Sequence, residues 1–390
     1  MDLTMKTFLD ASALLREAQQ TTGLSDWGSD PLPQVLALLV DALNQEAALH
    51  ERGVLAARAR LLDVMCSRLK LVEDRKRFPG IADEKIVKPI FVIGLPRAGT
   101  TFLHNLLSQD PGNRSPQTWE IMFPSPPPEP GSYAGDPRIA QCDAALRTQG
   151  FMERELQGIH PFGAERPEEC NFMWELSLQS VNFMAFWNVP SYTAQLMKID
   201  FRAIYREHRQ MLQHLQHRYR RDRWVLKSPA HNLWLSELLS VYPDACLIQC
   251  HRDPAKIIAS LASNFVALRK TFSEVELKGD FGMLEAQARG MRNIAAIRAK
   301  PEFKDRFLDA HYLDVQADPM GMVRRIYAHF DLPLAAEREA AMKAWLARDV
   351  SAHASGHRHS YSLADYGLDN ARVDAVLGDY IRECHVQLER

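Results

Sequence analysis

The stretch IVKPIFVIGLPRAGTTFLHNLL, residues 86–107, decides how this chain folds. Its first part, Ile86 to Gly94, is apolar and β-branched and runs into a turn, the pattern of a strand buried on both faces of a parallel sheet. Its last part, Phe102 to Leu107, is amphipathic and reads as a helix. Between them Gly94-Leu95-Pro96-Arg97-Ala98-Gly99-Thr100-Thr101 stands in the strand, loop, helix context where the unpaired N–H groups of a helix start cradle a phosphate. The two glycines have Walker A spacing, yet Thr100 holds the place of the lysine that reaches the β- and γ-phosphates of ATP. Arg97 is the cation inside the loop, and the loop suits a smaller anionic load than a magnesium-bound triphosphate.

Outward from this unit the same grammar repeats. Trp224 to Lys227 reads as a strand leading into a helix from about Asn232 to Tyr242, and Cys246 to Cys250 as a strand leading into a helix from Pro254 to Leu268. A further strand near Phe307 to Leu313 precedes helices from Pro319 to Phe330, from Ala335 to Arg348 and from Asp369. The fold class is therefore α/β, a P-loop-like three-layer arrangement with a central parallel sheet flanked by helices. Residues 1–85 carry apolar residues at helical spacing and form an N-terminal helical module, leaving 86–390 as the α/β domain. Within it, residues 117–205 form an insertion that begins proline-rich and continues with helices around Ile139 to Glu155 and Glu168 to Ser180, placed to shape a substrate pocket. Its aromatics, among them Trp119, Phe151, Phe162, Phe172, Trp174, Phe183, Phe186 and Trp187, serve an apolar pocket or a helical core equally well.

Composition narrows the function. Of 390 residues, 46% are hydrophobic and 25% charged, as in ordinary globular proteins and unlike disordered or fibrous ones. With 47 basic and 49 acidic residues there is no global field to hold a nucleic acid, so any anion is gripped locally. The six cysteines show no CxxC pair and read as reduced thiols. Residues 1–20 lack a basic segment followed by an apolar run, and Val35 to Val40 is far too short for a membrane span, so a cytoplasmic location is expected. His353, His357 and His359 lack metal-ligand spacing, and no metal is expected. Arg218, Arg220, Arg221 and Arg223 read as a solvated helix end that also offers to steer an anion.

A second anion site follows the Cys246 strand. In His251-Arg252-Asp253-Pro254, Asp253 is placed as an N-cap and Pro254 as the first helical residue, which sets Arg252 at the carboxyl end of the strand, where open α/β sheets bind ligands. Ser260 lies two turns further on, so an arginine and a hydroxyl can grip one phosphate. Together, LPRAGTT (95–101) and LKSPAHN…YPDACLIQCHRDPAKIIAS (226–260) resemble the sulfotransferases that use 3′-phosphoadenosine 5′-phosphosulfate (PAPS), and most of all their bacterial branch with RxGTT, LKSP and HRDP motifs. The likeness covers about residues 86–370, and HSYSLADYGL (359–368) is similar to the C-terminal pattern of that branch. The cytosolic hormone and phenol sulfotransferases differ in having Lys where Arg97 stands and a C-terminal RKGxxG loop, which leaves the C-terminal share of the 3′-phosphate site open.

The resemblance implies that Arg97, Ala98, Gly99, Thr100 and Thr101 hold the 5′-phosphosulfate, that Arg252 and Ser260 hold the 3′-phosphate, and that Phe102 lies near the adenine. It implies that Lys227 contacts the migrating sulfuryl group. In-line transfer also needs a base for the acceptor hydroxyl. Glu120 resembles the glutamate base of tyrosylprotein sulfotransferases and of some bacterial relatives, His231 stands two positions from the histidine of the cytosolic enzymes, and Glu168, Glu169 and His160 form a third group, although carboxylates at 168 and 169 also suit a helix start. The expected reaction moves the sulfuryl group of PAPS to a hydroxyl of a small, partly apolar acceptor, with PAP as the product. The rivals are a P-loop kinase or NTPase with a degenerate Walker A loop, and a non-catalytic PAP-binding module. The sequence leaves the acceptor and the role of the N-terminal helices open and is compatible with a homo-oligomer.

Overall fold

The computed structural model describes residues 8–28, 31–274, 279, 282–353 and 362–390, so His357, His359 and the start of the 359–368 motif lie outside the described residues. The chain divides into two compact units, one of residues 86–115, 221–263 and 277–390, the other of residues 1–85, 116–220 and 264–276.

Among the described residues the first unit holds five strands, β1 (Ile90–Gly94), β2 (Asn113–Arg114), β3 (Arg223–Lys227), β4 (Cys246–His251) and β5 (Phe307–His311). All pair in parallel, in the order β2-β3-β1-β4-β5. Every residue of β1 is buried, which is why its sequence runs apolar without alternation. The chain leaves β1 for the β2/β3 side and returns past it to β4, so the carboxyl ends of β3, β1 and β4 lie side by side at the switch in strand order. Register places Val92 beside Lys227 and Gly94 beside Cys250. The expected α/β architecture with a central parallel sheet is the one found.

Local details differ from the sequence reading where short-range geometry intervenes. The segment after β3 enters as a 3₁₀ turn, Pro229–Leu233, capped by Ser228, whose Oγ accepts from Ala230 N at 3.0 Å, before the helix Leu235–Val241. Residues after His311 turn helical at once, Tyr312–Ala317, instead of prolonging the strand. Strand β2 is too short to leave a hydrophobic pattern.

In the second unit the helices Ala11–Thr22, Leu32–Gln45 and Glu51–Arg77 share one core with Pro137–Thr148, Val181–Phe186, Pro190–Leu196 and Phe201–Gln216. The helix expected over Glu168 to Ser180 is a 3₁₀ stretch, Cys170–Ser177. The aromatics of this region are largely core: Trp119, Phe151, Phe162, Trp174, Phe183, Phe186 and Trp187 are all buried, and Phe172 is half-buried. A buried ion pair runs through them. Arg60 donates to Glu175 at 2.7 Å and to Gln149 at 2.9 Å while its guanidinium lies 4.8 Å from the Phe151 ring centre and 4.9 Å from that of Phe186. Breaking one partner of such a pair strands a buried charge, so it fixes the packing of the N-terminal helices on the later segment. No described helix is long and apolar enough to cross a membrane.

The helix Phe201–Gln216 buries two imidazoles, His208 and His214, the latter with Nε2 3.0 Å from the Pro124 carbonyl. Burial pushes both pKa values down to about 3. Above pH 6.5 both are neutral in folded and unfolded chains alike. As pH falls below 6.5 the unfolded chain takes up protons that the folded one refuses, so stability drops until about pH 3. At pH 5 each site is expected to cost about 2 kcal/mol relative to pH 7. Denaturant titrations of wild type and His208→Phe across pH 7 to 5 check this; an identical pH slope in the variant would refute the role of His208.

Candidate active site

The phosphate loop starts from a backbone collision avoided. Gly94 ends β1 at φ +115°, and a Cβ there would stand 2.4 Å from the carbonyl oxygen of Cys250 on β4. Asn232 clamps this glycine, donating from Nδ2 to the Gly94 carbonyl at 2.7 Å and accepting its N–H on Oδ1 at 3.1 Å. Asn232 is held in turn through its own carbonyl, which accepts from Asn293 Nδ2 at 2.8 Å.

Past Gly94 the chain turns, with Ala98 N donating to Leu95 O at 3.3 Å. Arg97 and Gly99 are left-handed, at φ +66° and +85°. The strain of a left-handed arginine, about 1 kcal/mol, is tolerated where it aims main-chain N–H groups into one concavity. Gly99 then caps the helix Thr100–Leu107 without a side-chain hydrogen bond to its first turn, which is the condition for an anion to do so. Thr100 is buried at that first turn and Thr101 exposed.

Two of the expected sites meet here. Arg97 Nε donates to Ser260 Oγ at 3.1 Å, and the Arg97 carbonyl accepts from Arg252 Nη1 at 3.2 Å. Asp253 caps the helix Pro254–Lys270 as its sequence predicts, its Oδ1 accepting from Ala255 N at 3.0 Å. The guanidinium of Arg252 lies 3.9 Å from the ring centre of Tyr312 and makes a two-pronged ion pair with Glu389, Nε to Oε1 at 2.8 Å and Nη2 to Oε2 at 3.0 Å. Behind it, His251 Nε2 is 2.8 Å from Asp309 Oδ1, and Arg298 Nη2 donates to Asp309 Oδ2 at 2.9 Å. Burial would raise the Asp309 pKa, but Arg298 and His251 hold it well below the usual carboxylate range, so the network keeps its charge.

Lys227 is buried at the end of β3, in register with Val92 two residues before the loop glycine. His231 is buried in the 3₁₀ turn with its ring edge-on to Phe91 at 5.2 Å. Phe102 packs on Trp345 at 5.8 Å, which accounts for an aromatic at this turn of its helix. In the helical unit, Glu120 is buried at the third position of the helix Thr118–Met122, where Oε2 accepts from Gln117 N at 2.9 Å in a capping box. His160 Nε2 sits 3.2 Å from both carboxylate oxygens of Glu168, and Glu168 Oε1 also accepts from Glu169 N at 2.7 Å. In the arginine cluster, Arg220 is paired with Glu84 at 2.6 Å and Arg218 with Glu129. All six cysteines are free thiols, and among the described residues no three His, Cys, Asp or Glu side chains gather as metal ligands.

Three participants were not legible beforehand: Asn232, Tyr312 and Glu389. Asn232 lies inside the LKSPAHN motif but carries no local sign of its partner, and Tyr312 and Glu389 reach Arg252 from 60 and 137 residues further along the chain.

Strand, glycine turn and helix in this order, at the centre of a parallel sheet, make this a P-loop-like α/β protein. The chain belongs to the sulfotransferase family, whose sequence model matches residues 89–336. It is 34% identical to the crystal structure of sulfotransferase STF1 from Mycobacterium tuberculosis, with 95% of this chain and 98% of that one covered and a TM-score of 0.81. Against sulfotransferase STF9 from Mycobacterium avium the identity is 28%, the coverage 100% of both chains and the TM-score 0.86. It is also 25% identical over 308 residues, 74% of each chain, to the omega-hydroxy-beta-dihydromenaquinone-9 sulfotransferase Stf3 of Mycobacterium bovis.

The close approach at Gly94 generates a paired test. Gly94→Ala must displace the β4 backbone as well as adopt a left-handed conformation, and a cost of roughly 3 kcal/mol or more is expected. Gly367→Ala, at φ +71° with nothing within 4 Å of the new methyl, is expected to cost about 1 kcal/mol. Equal shifts of the two denaturation midpoints would remove the Cys250 carbonyl as the reason for the glycine.

Proposed function

We propose that this sulfotransferase takes its sulfuryl group from PAPS and delivers it to a hydroxyl on a small, partly apolar acceptor, releasing PAP. The observation that carries the donor assignment is the convergence of Arg97, Ser260 and Arg252 beside a helix start that has a glycine cap and a threonine where an ATP-binding loop has lysine. The residues fit the group. The 3′-phosphate, which distinguishes PAPS from ATP, would be held by Arg252 and Ser260, and the 5′-phosphosulfate by the main chain of residues 97–101, the hydroxyls of Thr100 and Thr101, and Lys227.

The chemistry asked of the protein is limited. The acceptor oxygen attacks sulfur as the S–O bond to the 5′-phosphate breaks, and the hydroxyl proton passes to a base. Cations around the migrating group lower the barrier by meeting charge as it shifts onto the leaving phosphate. For the base we favour the Glu120 carboxylate over His231, which stands two positions from the histidine of the cytosolic enzymes. The acceptor reading draws on the lipid-like acceptor in the name of the Stf3 relative. The free state of all six cysteines favours a cytoplasmic location.

Calorimetric titration with PAP, ADP and ATP, with and without Mg²⁺, tests the donor. PAP is expected to bind without Mg²⁺, more tightly than ADP, and Arg252→Ala to weaken it by about 10- to 100-fold, the loss of a charge-assisted contact. Tighter binding of ATP with Mg²⁺ than of PAP would install the phosphoryl-transfer reading instead. For the base, Glu120→Gln is expected to lower kcat by about 10²- to 10⁴-fold with PAP affinity unchanged; undiminished turnover would remove Glu120 from the mechanism.

A further inference from the structure

The guanidinium of Arg252 already carries an anion. The Glu389 carboxylate occupies its Nε/Nη2 edge with two parallel hydrogen bonds at 2.8 and 3.0 Å, the same fork geometry an arginine offers to a phosphate. The carboxylate is not there by accident of a loose segment. Glu389 N donates to Asp253 Oδ2 at 2.9 Å, and Arg390 follows with a two-pronged pair to Asp374 at 2.5 Å and a 3.4 Å contact to Asp253. Asp374 lies on the helix Asn370–Glu383, whose Tyr380 hydroxyl stands 3.2 Å from His251 Nδ1, so the segment is pinned across the end of β4. Yet the pair itself remains about one-fifth exposed on each side, which lets the carboxylate swing into water. Arg252 has other supports that do not depend on Glu389: the Tyr312 ring beneath it and the Arg97 carbonyl at Nη1.

Resting on the PAPS reading above, we propose that Glu389 is an internal competitor of the donor's 3′-phosphate for the Nε/Nη2 edge of Arg252. The two anions repel and cannot share one edge, so the phosphate must displace the carboxylate on entry. The carboxylate retakes the edge as PAP leaves. Glu389 thereby sets donor affinity and hastens product release, acting through Arg252 without touching the reacting atoms.

The sign of the effect separates this role from a merely structural one. Glu389→Gln keeps the shape and removes the charge, and PAP is expected to bind about tenfold more tightly, chiefly through slower dissociation in stopped-flow displacement. ADP, which has no 3′-phosphate, is expected to bind unchanged, so the PAP-to-ADP affinity ratio rises. Arg390→Ala keeps the carboxylate and loosens its anchor; a smaller rise in the same ratio is expected, and this variant carries the test if Glu389→Gln fails to fold. Weaker PAP binding, or an equal change for PAP and ADP, would overturn the proposal and make Glu389 a support for Arg252. Wild-type protein that fails to prefer PAP over ADP, with Arg252→Ala unchanged, would instead sink the donor reading and this inference with it.

Discussion

At Gly94 the main chain of β1 passes so close to the Cys250 carbonyl that a single methyl group would stand 2.4 Å away, and the rest of the α/β unit is arranged around that approach. Because no side chain is tolerated there, the chain can leave the strand at φ +115° and turn sharply. The turn presents Arg97 and Gly99 in left-handed conformations, and these deliver the helix Thr100–Leu107 with its start bare of any side-chain cap. Asn232 holds the glycine from above with two hydrogen bonds, and it comes from the segment that follows Lys227. The same interaction that sets the loop therefore ties the end of β3 to the end of β1. On the other side, Cys250 immediately precedes His251 and Arg252, so the close contact also fixes the β4 end against the loop. One glycine thus registers three strand ends.

The helical unit is organised by a different principle. Its center is aromatic, with a buried guanidinium in place of a further hydrocarbon, and Arg60 satisfies that charge only when Glu175 and Gln149 are both in position. A charge with such demands is poor at adding stability but strict about which packing it permits. Partners that lie 89 and 115 residues from Arg60 along the chain make the requirement a long-range one. Large buried rings tolerate many packings, and the ion pair selects among them.

What the sequence made legible follows from how each feature is encoded. The buried strands β1, β3 and β4 leave largely apolar runs and could be read within a few residues of their ends, and the edge strand β5 leaves a shorter signal in Phe307 and Leu308, whereas a two-residue strand such as β2 leaves no run at all. The phosphate loop was legible because its glycines answer to local backbone geometry. Arg252 and Ser260 were legible as a strand end and a helix face, and their meeting with Arg97 was implied only by pairing the two motifs. The clamp by Asn232, the ring of Tyr312 and the carboxylate of Glu389 depend on distant segments arriving at one place, and a local pattern holds no trace of that. The aromatics of the 117–205 region suit a pocket or a core equally well in the sequence, because both ask for large apolar rings, and in the structure most of them are buried.

The helical unit is assembled from three separate stretches of chain, the first 85 residues, residues 116–220 and residues 264–276. On the ribosome this order has a cost. The opening helices emerge first, with Leu36, Leu39, Leu61 and Leu69 on faces that are buried in the finished protein, but Phe272, which closes the aromatic cluster against Phe151 and Phe186, is synthesised about 200 residues after the last of them. At translation speeds of about 5–20 residues per second, the start of the helix Glu51–Arg77 waits roughly 10 to 45 s for Phe272, whose carbonyl accepts from His50 N at 3.2 Å. A gene fragment ending anywhere before the third stretch would encode an incomplete core.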